Sequence, residues 1–276
     1  PKTLSFIISS PQPSIPSHIS LRDYQLEAID NWFNAGCRGL FEMATGTGKT
    51  ITALGLTTRL YEKKKRLALI ITVPYQHLVD QWYDESRSFG YMPIRAYKAR
   101  TTWLDEFNNR ILSYNHKDND VLCVITTHTT FSTEHFQNTI ARISDNALLV
   151  ADEVHHLGAE TRRNYFPENI NLRLALSATP DRWFDDEGTM ALRDYFGTTV
   201  FELSLAEAIG KSLTNYYYYP HLVELTVHEM EEYKALSVKI GQLLAQDRSD
   251  DEQLTRLLLK RANLLNSAQN KISVIS

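Results

Sequence analysis

Between an apolar run, RGLFEM at 38–43, and a segment with helical spacing lies ATGTGKT, residues 44–50. Glycines, a lysine and a hydroxyl residue in that order suit a polyphosphate. Gly46 and Gly48 let the backbone of Thr45, Gly46, Thr47 and Gly48 curl so that its amides face phosphate oxygens, Lys49 reaches the β and γ phosphates, and Thr50 offers a hydroxyl to Mg2+. The strand-loop-helix context separates this stretch from a glycine-rich turn that binds nothing. A second constellation completes the chemistry. In ALLVADEVHH, residues 147–156, an apolar run carries Asp152 and Glu153 to a strand end. There Asp152 would hold Mg2+ through water, and Glu153 would polarise the water that attacks the γ-phosphate. An acidic pair after a strand is commonplace alone; joined to the phosphate loop it points to nucleoside triphosphate hydrolysis.

Such residues must be brought together by a sheet. Short β-type runs, RGLFEM, RLALIITV, VLCVITT, NALLVADE, LRLALSAT and TTVFEL, alternate with helical segments KTITALGLTTRLYEK, YQHLVDQWYDESRSF and FSTEHFQNTIARI. Strands apolar on both faces and separated by helices predict an α/β fold, a three-layer, doubly wound parallel sheet. Right-handed crossovers put every strand's C-terminal end on one edge, where the loops build the site. Residues 1–20, with Pro1, Pro11, Pro13 and Pro16, read as an extended lead-in. From Leu21 an amphipathic helix follows, with Leu21, Tyr24, Leu26, Ala28, Ile29, Trp32 and Phe33 on its apolar spacing. The main lobe is expected over 21–213 and a crossing strand with a helical extension over 214–276. In that extension Leu236, Ile240, Leu243 and Leu244, then Leu254, Leu257, Leu258, Leu264 and Leu265, suggest two helices.

Composition limits the rest. The 276 residues carry a formal charge of −4, so no global basic field attracts nucleic acid and any such binding must be local. Cys37 and Cys123 are the two cysteines, which fits a reducing compartment. No apolar stretch approaches the ~20 residues that span a bilayer, and the first residues lack a signal-peptide core. The expectation is a cytoplasmic protein, nucleoid-associated if bacterial, with no membrane partner.

The order of motifs from about Leu21 to Pro180 resembles superfamily 2 helicases and translocases, in the branch that holds XPB-like translocases and the motor subunits of type I and type III restriction enzymes. ATGTGKT is similar to that superfamily's phosphate loop, with Met43 where the stricter pattern has glycine; ADEVHHLGAE and LSATP resemble its motifs II and III, ITVPYQHLVDQW motif Ia, VITTHTTF motif Ib, and LRDYQLEAIDNW the Q-motif region. The resemblance implies a RecA-like lobe using ATP and Mg2+, with Arg22 and Gln25 approaching the adenine. It implies that Ser177 and Thr179 bond to His155 and link nucleotide state to a nucleic-acid surface; simple turn capping is the other reading. Pro74 and Gln76 at one strand end, Thr126 and Thr127 with His128 at another, and Arg162 and Arg163 are candidate nucleic-acid contacts. Satisfied loop hydroxyls and solvated charges are their alternatives. His155 and His156 lack a third ligand at metal spacing, so zinc is not expected.

The function so implied is the ATP-binding lobe of a DNA helicase or translocase, of repair or restriction type, with duplex DNA favoured over single strands and RNA. An RNA-remodelling lobe and a nucleotide-sensing module without a motor cycle are the alternatives. No second parallel-sheet pattern and no Q-x-x-G-R-x-x-R-like string follows Pro180. The expected partner is therefore a second RecA-like lobe of the same protein, and slow hydrolysis is expected without it.

Overall fold

The computed structural model describes residues 12–179, 185–209, 222–244 and 251–271. The chain divides into two compact units, 1–215 and 216–276. The first unit runs α1 (Asp23–Asn34), β1 (Arg38–Met43), α2 (Lys49–Lys64), β2 (Leu67–Val73), α3 (Gln76–Ser88), β3 (Ile94–Ala96), α4 (Leu104–Asn115), β4 (Val121–Thr127), α5 (His128–Phe131), α6 (Glu134–Ile140), β5 (Ala147–Ala151), α7 (Glu160–Arg163), β6 (Leu172–Ser177), α8 (Asp186–Phe196), β7 (Thr199–Leu203) and α9 (Leu205–Ala208). Its strands form one seven-stranded sheet in the order β3-β4-β2-β5-β6-β1-β7, and every pairing is parallel. This is the α/β fold expected of a RecA-like lobe.

The apolar runs explain the layers. Every residue of β2 is buried, with Leu67, Leu69, Ile71 and Val73 entering one core with Ile29, Leu54, Val79 and Trp82. Ala68 and Ile70 enter the other, with Phe107, Phe136 and Leu192. Period-two alternation in a strand therefore feeds two helical layers. The lead-in packs onto this frame: the Ser14 N–H donates to Phe89 O at 2.9 Å. Gly90, at φ +83°, lies so close to Gln12 that a Cβ there would sit 2.7 Å from its carbonyl oxygen.

Strand order positions the site. β6 lies between β1 and β5, so the loops after these three strands, which carry the glycine loop, SAT and the acid pair, are neighbours along one sheet edge. The register, with Glu42 opposite Ser177 and Ala151 opposite Ala175, brings their C-terminal ends level.

The six expected strands form. Not anticipated were β3, the helices α4 and α8, and the single turns α5, α7 and α9. The single helix expected over 131–143 is interrupted, because the Thr133 hydroxyl accepts the Phe136 N–H and starts α6 afresh. In the second unit α10 (Val227–Leu244) and α11 (Asp251–Asn266) are two helices, tied by Lys260 to Glu232 at 3.1 Å. Among the described residues, 222–226 form no strand. The tyrosine run 216–219 lies outside the described residues. Among those residues no helix is long and apolar enough to cross a membrane.

Candidate functional site

Gly46 and Gly48 take φ of +83° and +81°, the left-handed conformations that turn successive amides to one side. Gly48 caps α2, so Lys49 and Thr50 are its first two residues. Thr45 and Gly46 are exposed, while Thr47 is buried and its hydroxyl donates to Ala44 O at 2.7 Å. The loop leans on α1. Tyr24 Oη donates to Thr47 O at 2.7 Å, and Gln25 Nε2 donates to Thr52 Oγ1 at 3.0 Å and to Gly48 O at 3.4 Å. Gln25 is thereby engaged under the loop, whereas Arg22 is exposed and its guanidinium donates to Tyr24 Oη at 3.1 Å.

The acid pair faces this loop. Lys49 Nζ donates to Met43 O at 3.2 Å and pairs with Glu153 Oε1 at 3.4 Å. Glu153 has φ +46°, an uncommon conformation for a residue with a side chain and typical of functional turns. Asp152 is buried; it accepts the Trp82 Nε1–H at 2.8 Å on Oδ2 and the Glu153 N–H at 3.0 Å on Oδ1. Burial pushes its carboxyl above the usual range, with the neighbouring Glu153 charge adding to the rise, while the Trp82 N–H and Lys49 oppose it.

His155 Nδ1 lies 3.1 Å from Ser177 Oγ and 3.6 Å from Glu153 Oε2. Ser177 Oγ also accepts the Thr179 N–H at 3.1 Å. The two readings of SAT therefore coexist: the serine caps its own turn and touches His155. The link through residue 179 is its backbone amide. Beneath the acid turn sits His128, wholly buried, with Nδ1 at 2.9 Å from Thr72 Oγ1. Burial, then the charges of Arg162 and His156, pull its pKa down to about 3.

The other predicted contacts scatter. Thr126 is fully buried and its hydroxyl donates to Ala96 O at 2.6 Å, so it takes the satisfied-hydroxyl reading. Thr127 caps α5 by accepting the Thr130 N–H. Pro74 is half-buried and Gln76 exposed at the start of α3. Arg162 donates to His156 O at 2.9 Å, and Arg163 pairs with the exposed Glu187 at 3.2 Å. Sequence reasoning passed over Tyr75, 53% exposed, whose ring stacks on His77 and meets His156 edge-on. It also passed over Tyr24, Thr72 and Trp82 as supports; motif position was a signal for Trp82, its partner was not.

A family model described as type III restriction enzyme, res subunit, matches residues 18–182. The chain belongs to that family. Among relatives of this res-subunit domain, the DNA 3'-5' translocase XPB2 of Sulfurisphaera tokodaii is 30% identical over 265 residues, covering 92% of this chain and 53% of the relative. The type I restriction enzyme EcoAI endonuclease subunit of Escherichia coli is 28% identical, covering 69% and 22%. The chain thus spans about half the length of the first and about a fifth of the second. Two solved structures share the fold. A nuclease-deletion mutant of the type ISP restriction-modification enzyme LlaGI, in complex with a DNA substrate mimic, superposes with TM-score 0.54 at 19% identity over 83% of this chain and 23% of that one. The Sulfolobus solfataricus SWI2/SNF2 ATPase core in complex with dsDNA gives 0.51 at 16% identity over 92% and 60%.

Proposed function

We propose that this chain is the ATP-binding lobe of a DNA translocase or helicase that couples hydrolysis to movement on DNA. The observation that carries the reading is the meeting of Lys49 with Glu153 at 3.4 Å, beside a loop whose two glycines are left-handed. Membership of a restriction-subunit family and kinship with a chain named as a DNA translocase favour DNA over RNA.

The residues present fit Mg-ATP. Thr50 and Asp152 offer oxygen donors, which suit Mg2+, and Asp152 is a buried carboxylate whose pKa is raised by that burial and by the neighbouring Glu153 charge. When bound, Mg2+ would supply charge neutralisation at the phosphate oxygens. Around it, the amides of Thr45 to Gly48 cradle phosphates, Lys49 neutralises the terminal phosphate, and Glu153 orients the attacking water and accepts its proton. His155, whose Nδ1 meets both Glu153 and Ser177 and whose ring lies against His156, relays the state of the acid turn through His156 to Tyr75, at the edge where Tyr75 and Gln76 are exposed. The transition state of such a reaction gains from an added arginine. Arg162 and Arg163 are turned to His156 and Glu187, so a second lobe is the proposed source of that cation, and hydrolysis by this chain alone is expected to be slow.

Binding of a fluorescent ATP analogue and Mg-ATP turnover, measured without nucleic acid and with duplex DNA, single-stranded DNA or duplex RNA, test the reading against Lys49→Ala. Wild-type binding that the substitution abolishes, with any stimulation greatest on duplex DNA, is expected. Equal binding by both proteins overturns the nucleotide site, and stimulation by RNA alone overturns the choice of DNA.

A further inference from the structure

Asp152 is steadied by a residue that belongs to neither the phosphate loop nor the acid turn. Trp82 lies midway along α3, is 1% exposed, and its Nε1–H reaches Asp152 Oδ2 at 2.8 Å across 70 positions of sequence. The other carboxylate oxygen accepts the Glu153 amide at 3.0 Å. One donor on each oxygen fixes the plane of the carboxylate and still leaves lone pairs for a cation or its water, since a carboxylate has about four acceptor sites. The choice of donor matters as much as its place. An indole N–H carries no charge, has no acceptor lone pair and does not compete as a metal ligand. Its ring is buried in the same core cluster as Val79, Ile71 and Val73, so the N–H is aimed from a packed core.

We propose that Trp82 is a positioning residue for the magnesium carboxylate: its buried indole N–H sets the orientation in which Asp152 meets the cation. The inference rests on the reading of Asp152 as the Mg2+ carboxylate. It assigns Trp82 a task beyond core packing, and the two tasks separate by substitution. Trp82→Phe keeps a buried ring and removes the donor; Trp82→Gln keeps an N–H donor and removes the ring.

The readout is the Mg2+ concentration that half-maximally tightens binding of a fluorescent ATP analogue to the 276-residue chain, with binding in EDTA measured alongside. Losing a partner that orients a metal ligand costs about 10–100-fold in metal affinity. Trp82→Phe should therefore raise the Mg2+ requirement about tenfold or more while binding in EDTA stays within about twofold. Trp82→Gln should have the lower Mg2+ requirement of the two, although a packing role makes it the less heat-stable. A Phe variant with the wild-type Mg2+ requirement, or a Gln variant that is the worse in both measurements, overturns the proposal. Asp152→Asn separates the layers of the argument: if it leaves the Mg2+ requirement unchanged, the reading of Asp152 itself fails. The unsubstituted chain gives an independent test should either variant not fold. The Trp82 indole N–H resonance should shift on adding Mg-ATP and stay in place with ATP in EDTA; an identical response to both overturns the proposal.

Discussion

Lys49 is shared between two acceptors, the Met43 carbonyl and the Glu153 carboxylate. A phosphate entering the loop competes with Glu153 for the ammonium, so the residue proposed as base is also a rival of the substrate. Glu153→Gln should therefore separate binding from chemistry. We expect affinity for Mg-ATP to hold or tighten by up to about fivefold, the worth of a part-exposed ion pair. Single-turnover hydrolysis should fall by about 10²–10⁴, the usual contribution of a general base. Analogue titration and a quench assay on the same preparation check both; a variant that hydrolyses at the wild-type rate removes Glu153 from the mechanism. At this scale the sequence was most readable where function is contiguous. Gly46, Gly48, Lys49 and Thr50 are adjacent, and their conformations are local. Trp82, Tyr24 and Thr72 were readable only as core or strand residues, because their partners are distant in sequence and are brought near by the sheet order.

Helix α5 begins at His128, directly at the end of β4, and the element can form there because the imidazole stays neutral within the core. Its pKa of about 3 lies below the ordinary 6.5. The unfolded chain therefore binds a proton that the folded one refuses between those values. Stability is retained above about pH 6.5 and falls as pH drops toward 3, by about 1.4 kcal/mol per unit once the unfolded histidine is charged. Between pH 7 and pH 5 this single group accounts for about 2 kcal/mol. Urea unfolding of wild type and His128→Gln at both pH values checks it, since carboxylate contributions are common to the two proteins; the loss on acidification should be smaller in the variant by that amount. Equal losses would show that His128 titrates normally. Elements were legible in proportion to length and pattern. Six strands announced themselves as apolar runs, whereas β3 has three residues and is defined by pairing Ile94 with Val124 and Ala96 with Thr126. Helix α4 carried a readable spacing in Phe107, Ile111 and Tyr114, all buried, and an acidic first turn in Asp105 and Glu106, yet it follows no expected strand closely and was not read.

Across the whole molecule the charge of −4 sets how DNA must be held. A protein without a basic field grips phosphates only where cations gather, and the sheet edge that carries the acid turn offers Arg162 and Arg163 close behind it. Each neutralised phosphate contributes about −0.9 to the slope of log affinity against log salt. With these two arginines as the main grip, duplex DNA binding by this chain should be weak and its slope shallow, about −2 to −4. Arg162→Ala with Arg163→Ala should flatten that slope by about 2 and weaken binding about equally on all sequences. Fluorescence anisotropy with a labelled blunt duplex across a salt series measures it. A slope near −10 would require a basic surface far larger than these two arginines. A slope untouched by the double substitution would move the DNA track off α7, leaving the exposed start of α3 as the face to test next. Because α3 also carries Trp82, grip there would bear on the Asp152 carboxylate through a single helix, and DNA would then change the Mg2+ requirement of the wild type more than that of Trp82→Phe.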